Sequence, residues 1–172
     1  MNLLIVGAGG HGKVVAEIAA DCGYEKVDYL DDNSPEAIGK LHDLEKFADQ
    51  YEYAFVGIGN NKLRGELIEK LESVGYQVPV LIHPTAYISR TAKIEKGTVV
   101  EPKAIVNANT VVSSGCIISV GSIVDHDVVI EQYCHINAGA IVKAGATLEE
   151  YTKLEAGEVK LGYQQAIVKK QT

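Results

Sequence analysis

The stretch that decides the fold is residues 105–130, IVNANTVVSSGCIISVGSIVDHDVVI, in which an aliphatic side chain returns at every sixth position. The register runs outward in both directions: Ile88, Ile94, Val100, Val106, Val112, Ile118, Val124, Ile130, Ile136, Val142, Leu148 and Leu154 all obey it. Four residues after most of them stands a small side chain, among them Ala92, Thr98, Ala104, Thr110, Cys116, Ser122, Cys134, Ala140 and Ala146. A period of six with two inward positions belongs neither to an amphipathic helix nor to a flat strand. It fits a short strand and a tight turn, three such units closing a triangular coil that stacks on the next at about 4.8 Å. Twelve units predict four coils, a prism roughly 20 Å tall. Glycines at 97, 115, 121, 139, 145 and 157 fall at the turns, where positive φ costs them little.

Upstream the period changes. Leu3–Val6 reads as a strand, followed by the turn GAGGHGK at positions 7–13 and by Val14, Val15, Ile18, Ala19 and Cys22 at helical spacing, with Gly23 placed to end the helix. Val27–Leu30 runs into Asp31, Asp32 and Asn33, and Tyr53–Ile58 runs into Gly59, Asn60 and Asn61. Leu63, Leu67, Leu71 and Val74 mark another helix, and Val80–Ile82 reads as the last strand of this unit. Strands alternating with helices predict a small parallel sheet with right-handed crossovers, a half-Rossmann unit. The predicted organisation is an α/β domain over 1–83, an all-β domain of stacked hexapeptides over 84–160, and a C-terminal tail over 161–172. Val99, Ile105, Val111, Ile117, Ile123, Val129 and Ile141 point outward and would leave a monomer with wet apolar faces, so a homotrimer is expected.

Composition narrows the function. The 172 residues are 47% hydrophobic and 23% charged, an ordinary globular balance. Sixteen basic against twenty-three acidic residues give a net charge of −7, which repels polyphosphate backbones, so nucleic acid is not an expected partner. No apolar run is long enough to cross a bilayer, and no basic segment precedes the first strand, so membrane insertion and a signal peptide are not expected and the expected location is cytoplasmic. Cys22, Cys116 and Cys134 have no CxxC spacing and read as small buried apolar residues rather than as disulfide or zinc ligands.

Gly7, Gly9 and Gly12 match GxGxxG between a strand and a helix, where backbone N–H groups approach a phosphate; a ligand-free tight turn is the alternative. Asp31 and Asp32 at the next strand end suit a ribose hydroxyl or a base N–H, and the small sheet favours a mononucleotide over a dinucleotide. Asn60 and Asn61 are either ligand contacts or a helix cap, and Arg64 faces either solvent or a phosphate. Among the hexapeptides, His126 and Asp127 occupy an outward turn, where a carboxylate would fix the tautomer and raise the basicity of the imidazole. His135 reads as pointing outward from a flat face. No third ligand accompanies the two histidines, so no metal is expected.

GAGGHGKVV, LDDN, GIGNNKLR, LIHPTAYIS, VDHDVVI and CHINAGA, in this order over positions 1 to about 148, resemble the bacterial sugar O- and N-acetyltransferases of the sialic acid O-acetyltransferase type, most of all those acting on UDP-4-amino-sugars in the bacillosamine pathway. The resemblance implies a Rossmann-like domain that binds a nucleotide sugar and a left-handed parallel β-helix that trimerises and binds acetyl-CoA as co-substrate between subunits. It implies His126 as general base toward the sugar amine, Asp127 as its orienting neighbour, His135 near the acetyl group, and the backbone of Ala144 and Gly145 donating to the thioester carbonyl. Gly9, Gly10, His11, Asp31, Asp32, Asn60, Asn61 and Arg64 match the nucleotide-sugar site. The chain departs from the family pattern in lacking a closing Gly-x-Pro-Ala segment, its last proline being Pro102, and in carrying Ser119 where an asparagine can stand near the substrate. The alternatives are a nucleotide-sugar-binding module with lost CoA binding, an O-acetyltransferase on a sugar such as sialic acid, a dinucleotide oxidoreductase and a purely structural solenoid.

Overall fold

The computed structural model describes residues 1–163; the tail expected from 161 onward lies beyond these from residue 164. The N-terminal unit holds a three-stranded parallel sheet, β1 (Asn2–Val6), β2 (Lys26–Leu30) and β3 (Tyr53–Val56), in the order β2-β1-β3. Helix α1 (Gly10–Asp21) joins β1 to β2, a 3₁₀ turn and the single-turn α2 (Leu44–Phe47) lie between β2 and β3, and α3 (Asn61–Val74) follows β3. Gly75, at φ +106°, ends α3 in the left-handed conformation.

The next strand does not join this sheet. Leu81–Ile82, expected as its last strand, pairs with Val99–Val100 and forms the first rung of the solenoid. The reason is the period: Ile82 stands six residues before Ile88 and therefore already obeys the hexapeptide register. From there to Val159–Lys160 the chain makes two-residue strands six apart, arranged in three parallel faces of five, five and four strands. Residues 18 apart stack, Ile118 on Val100 and Ile136 on Ile118.

The second residue of each strand from Val100 to Leu154 points inward and is buried, as are Thr98, Ala104, Thr110, Cys116, Ser122, Val128, Cys134, Ala140 and Ala146 at the small position. One continuous apolar core runs the length of the prism. The turns take positive φ at one position in every six, filled by six glycines and by Lys103, Asn109, Asp127, Tyr133 and Tyr151. A side chain in that conformation is strained by roughly 1 kcal/mol or more, and the ladder of hydrogen bonds above and below holds it there.

The α/β unit covers the face that begins at Leu81. Val99 and Ile117, expected to be wet, are 0% and 1% exposed beneath Leu3, Ile5, Val15, Ile18 and Phe55. Ile123 and Val129, on the other two faces, remain exposed at 37% and 40%. Cys116 and Cys134 are buried and free, whereas Cys22 at the end of α1 is only half-buried, its Sγ against the Ile82 carbonyl. Among the described residues no helix is long and apolar enough to cross a membrane.

Candidate functional site

The glycine-rich turn, the ends of β2 and β3 and the start of α1 enclose an open cavity of about 340 Å³ lined by Gly7, Gly9, Gly10, His11, Asp31, Asp32, Asn33, Leu41 and Gly57–Gly59. Gly12 is required by packing, because a methyl there would overlap the Gly7 carbonyl, whereas nothing among the described residues stands within 4 Å of a methyl added at Gly9 or Gly10. Gly9 caps α1 without a side-chain hydrogen bond, so the first N–H groups of the helix face the cavity with no acceptor from the chain's own caps. Asp31 Oδ2 accepts the Ala8 N–H at 2.9 Å and its Oδ1 accepts from Asn33 and Ser34. These donors, Ala8 foremost, hold its carboxyl below the usual range. Asp31 thereby fixes the glycine-rich turn, while Asp32, bonded to the Leu41 N–H at 3.1 Å, keeps acceptor capacity toward the cavity.

Three expected members of this site stand elsewhere. Asn60 caps α3, its Oδ1 accepting from the Leu63 N–H at 3.0 Å. Asn61 donates to the Tyr151 carbonyl at 2.9 Å and accepts from Arg64 at 2.8 Å. Arg64 faces neither solvent nor the cavity: it is 1% exposed, on the buried stripe of α3 with Gly65, Ile68 and Leu71. Its guanidinium donates to the carbonyls of Gly115 at 2.7 Å and Tyr133 at 2.9 Å, to Cys134, and back to Ile58 and Gly59. Burial lowers its pKa to about 10, which leaves it charged at neutral pH. Arg64 is therefore a clamp between α3 and a corner of the prism.

His135 does not point into solvent. It lies half-buried under the α/β unit, its Nε2 3.1 Å from Ser119 Oγ and its ring centroid 6.5 Å from that of His11. His11 Nδ1 stands 3.7 Å from Glu101 Oε1. Burial lowers both histidines to about 4, with His135 and Arg64 adding to the effect on His11, and Arg64 and Lys153 to the effect on His135. Both are neutral at physiological pH, and His11 Nε2 and His135 Nδ1 are buried without a hydrogen-bond partner among the described residues. Burial raises the Glu101 carboxyl, which accepts the Val120 N–H at 2.8 Å. Neutral imidazoles with an unused nitrogen are ready to bond a polar ligand group. Glu101 escaped the sequence reading, although its spacing of 18 from Ser119 was there to find it.

His126 and Asp127 sit at the corner opposite the covered face, His126 Nδ1 donating to Asp127 Oδ2 at 2.7 Å. That bond, helped by Asp125, raises the imidazole pKa, and the same bond with Asn109 lowers the carboxyl. With Nδ1 holding its proton on the carboxylate, Nε2 is the free basic nitrogen. Ala108 and Ala144, one coil below and above, leave the ring room, and the His126 carbonyl accepts the Gly145 N–H at 3.1 Å. The Gly145 N–H assigned to a thioester carbonyl is thus part of the ladder. Among the described residues no group of three or more His, Cys, Asp or Glu could hold a metal ion.

Residues 2–71 match the PglD N-terminal domain family. A curated relative, the UDP-N-acetylbacillosamine N-acetyltransferase of Bacillus subtilis (strain 168), is 34% identical over 113 residues, 58% of this chain; the match spans 50% of that relative's length. The acetyltransferase domain of PglB from Neisseria gonorrhoeae, solved in complex with acetyl coenzyme A, is 36% identical with a TM-score of 0.88, covering 94% of this chain and 82% of that one. A mutant of perosamine N-acetyltransferase from Caulobacter crescentus, in complex with CoA and GDP-perosamine, is 27% identical with a TM-score of 0.85 over 94% and 89% of the two chains. The small α/β unit followed by a left-handed parallel β-helix is the architecture of these enzymes, and the chain belongs to the family of bacterial sugar acetyltransferases of the bacillosamine type.

Proposed function

We propose that this protein transfers the acetyl group of acetyl-CoA to the amino group of a nucleotide-activated amino sugar, with His126 as general base. The observation that carries the reading is the hydrogen bond from His126 Nδ1 to Asp127, which leaves Nε2 free on an exposed corner. An amine attacks a thioester only when unprotonated, and attack leaves it with a proton to lose. In the proposed step the amine nitrogen bonds to the carbonyl carbon, Nε2 takes the proton, and the C–S bond breaks. The sulfur leaves as thiolate and is protonated, giving an amide and free CoA thiol.

The cavity receives the nucleotide, its diphosphate at the N-terminus of α1 and Asp32 toward the ribose or base. It is lined by the α/β unit, which packs on the covered face of the prism, whereas His126 of the same chain stands at the corner opposite that face, roughly 15 Å from it at about 3.3 Å per strand residue. One sugar cannot span both in a single chain. A second copy that brings its own His126 corner against this cavity completes the site, and the exposed Val120, Ile123 and Val129 are apolar surface for that contact. A homotrimer built on the three-sided prism satisfies this for every subunit. Sedimentation equilibrium should return about three times the 18.5 kDa chain mass at micromolar concentration; a single-chain mass overturns the shared site.

Binding and turnover test the reading together. UDP or a UDP-amino-sugar should bind by calorimetry while NAD does not compete, since a three-stranded sheet lacks the second mononucleotide half. Thiol release from acetyl-CoA should then appear with one member of a panel of UDP- and GDP-amino-sugars. Nucleotide-sugar binding with no acetyl-CoA binding would instead identify a binding module.

A further inference from the structure

The corner that carries His126 repeats every 18 residues, so Ala108, His126, Ala144 and Gly162 form one column and Asn109, Asp127, Gly145 and Tyr163 the next. Within the second column the Asp127 carboxylate receives His126 Nδ1 on one oxygen and Asn109 Nδ2, at 3.1 Å from the coil below, on the other. From above, the column offers a glycine and then a tyrosine. The ring of Tyr163 lies across Gly145 so closely that a methyl there would fall inside it. Gly162 is needed for the same approach, because a methyl at that position would overlap the Ala144 carbonyl. Across the gap at Gly145 the Tyr163 ring stands above Asp127, two rungs or roughly 10 Å away at 4.8 Å per rung, a span that a tyrosine and an aspartate side chain can close between them.

We propose that Tyr163 is a positioning residue for the His126–Asp127 pair, its hydroxyl donating to the carboxylate across Gly145 and fixing it from above as Asn109 does from below. The inference rests on the reading of His126 as base. His126, Asn109 and, with a smaller effect, Tyr163 all hold the Asp127 carboxyl below its ordinary range. A carboxylate shared among three donors presents less negative charge to the imidazole than one shared between two. Loss of the Tyr163 hydroxyl therefore makes His126 more basic and its ring less firmly aimed.

Tyr163→Phe keeps the ring on Gly145 and removes only the donor. The His126 Cε1–H resonance of the full chain, titrated by NMR without substrate, should show a pKa higher by about 0.3 to 0.5 unit than in the wild type. The acid limb of kcat/KM should move up by the same amount, and kcat near pH 7 should fall about 3- to 10-fold. Superimposable titrations and limbs overturn the proposal. So does a rate above wild type, which would mark the tyrosine as an obstacle to the co-substrate. If in the wild type itself the acid limb fails to track the His126 titration, His126 is not the base, and the contact between Tyr163 and Asp127 is still decided by the NMR titration alone.

Discussion

His126→Ala is expected to lower kcat by roughly 10² to 10⁴ while nucleotide-sugar affinity changes less than about twofold, since a base acts in the transition state and the nucleotide cavity is lined by the α/β unit alone. The wild-type profile supplies a second readout. Asp127 raises the imidazole above its ordinary 6.5, so Nε2 is protonated and inert at low pH, and kcat/KM should rise through a limb above that value. Asp127→Asn removes the cause of the shift and should bring the limb down while slowing turnover. Stopped assays of thiol release across pH 5.5 to 9 check both. An alanine variant retaining more than about half the wild-type rate would return His126 to the class of ordinary surface histidines.

Arg64→Met should be the most damaging change outside that corner. The carbonyls of Gly115 and Tyr133 are buried against the guanidinium, and an apolar replacement leaves them without a donor. Each such group costs about 1–3 kcal/mol, so a loss of about 3–5 kcal/mol is expected. For a chain of this size that lowers Tm by about 10 °C at fixed protein concentration. Differential scanning calorimetry checks it, and a Tm within about 2 °C of wild type would show that the relief of burying a charge outweighs the orphaned carbonyls.

The solenoid was legible because its period is enforced by geometry: every sixth side chain has one place to go, and Ile88 to Leu154 show it without exception. The same rule, pursued one unit further back to Ile82, would have moved Leu81–Ile82 out of the Rossmann-like sheet. His126 and Asp127 stood out as a charged pair at a turn. Less legible was everything decided by the packing of one unit on the other. Nothing in the local sequence says that Val99, Ile117 and His135 share the covered face, or that Arg64 turns toward backbone carbonyls rather than a phosphate. Those side chains lie far apart in sequence from what they touch, and the hexapeptide pattern treats the three faces as equivalent until one of them is taken. Asn109 and Tyr163 were within reach of Asp127 through one and two steps of 18, a period that appears only once three units are known to close a coil.

That step of 18 also governs how such a chain tolerates change in length. Inserting or deleting one whole coil returns every later residue to the same face and corner, so the prism gains or loses about 4.8 Å of height without rotating the edge that carries His126. An insertion of six turns the remainder by one face and carries everything beyond it to a different edge. Lengthening within lineages is therefore expected in multiples of 18 on either side of His126, whereas single-residue indels should be confined to the corners. Coils at the far end are in this way exchangeable while the edge beneath them is inherited intact.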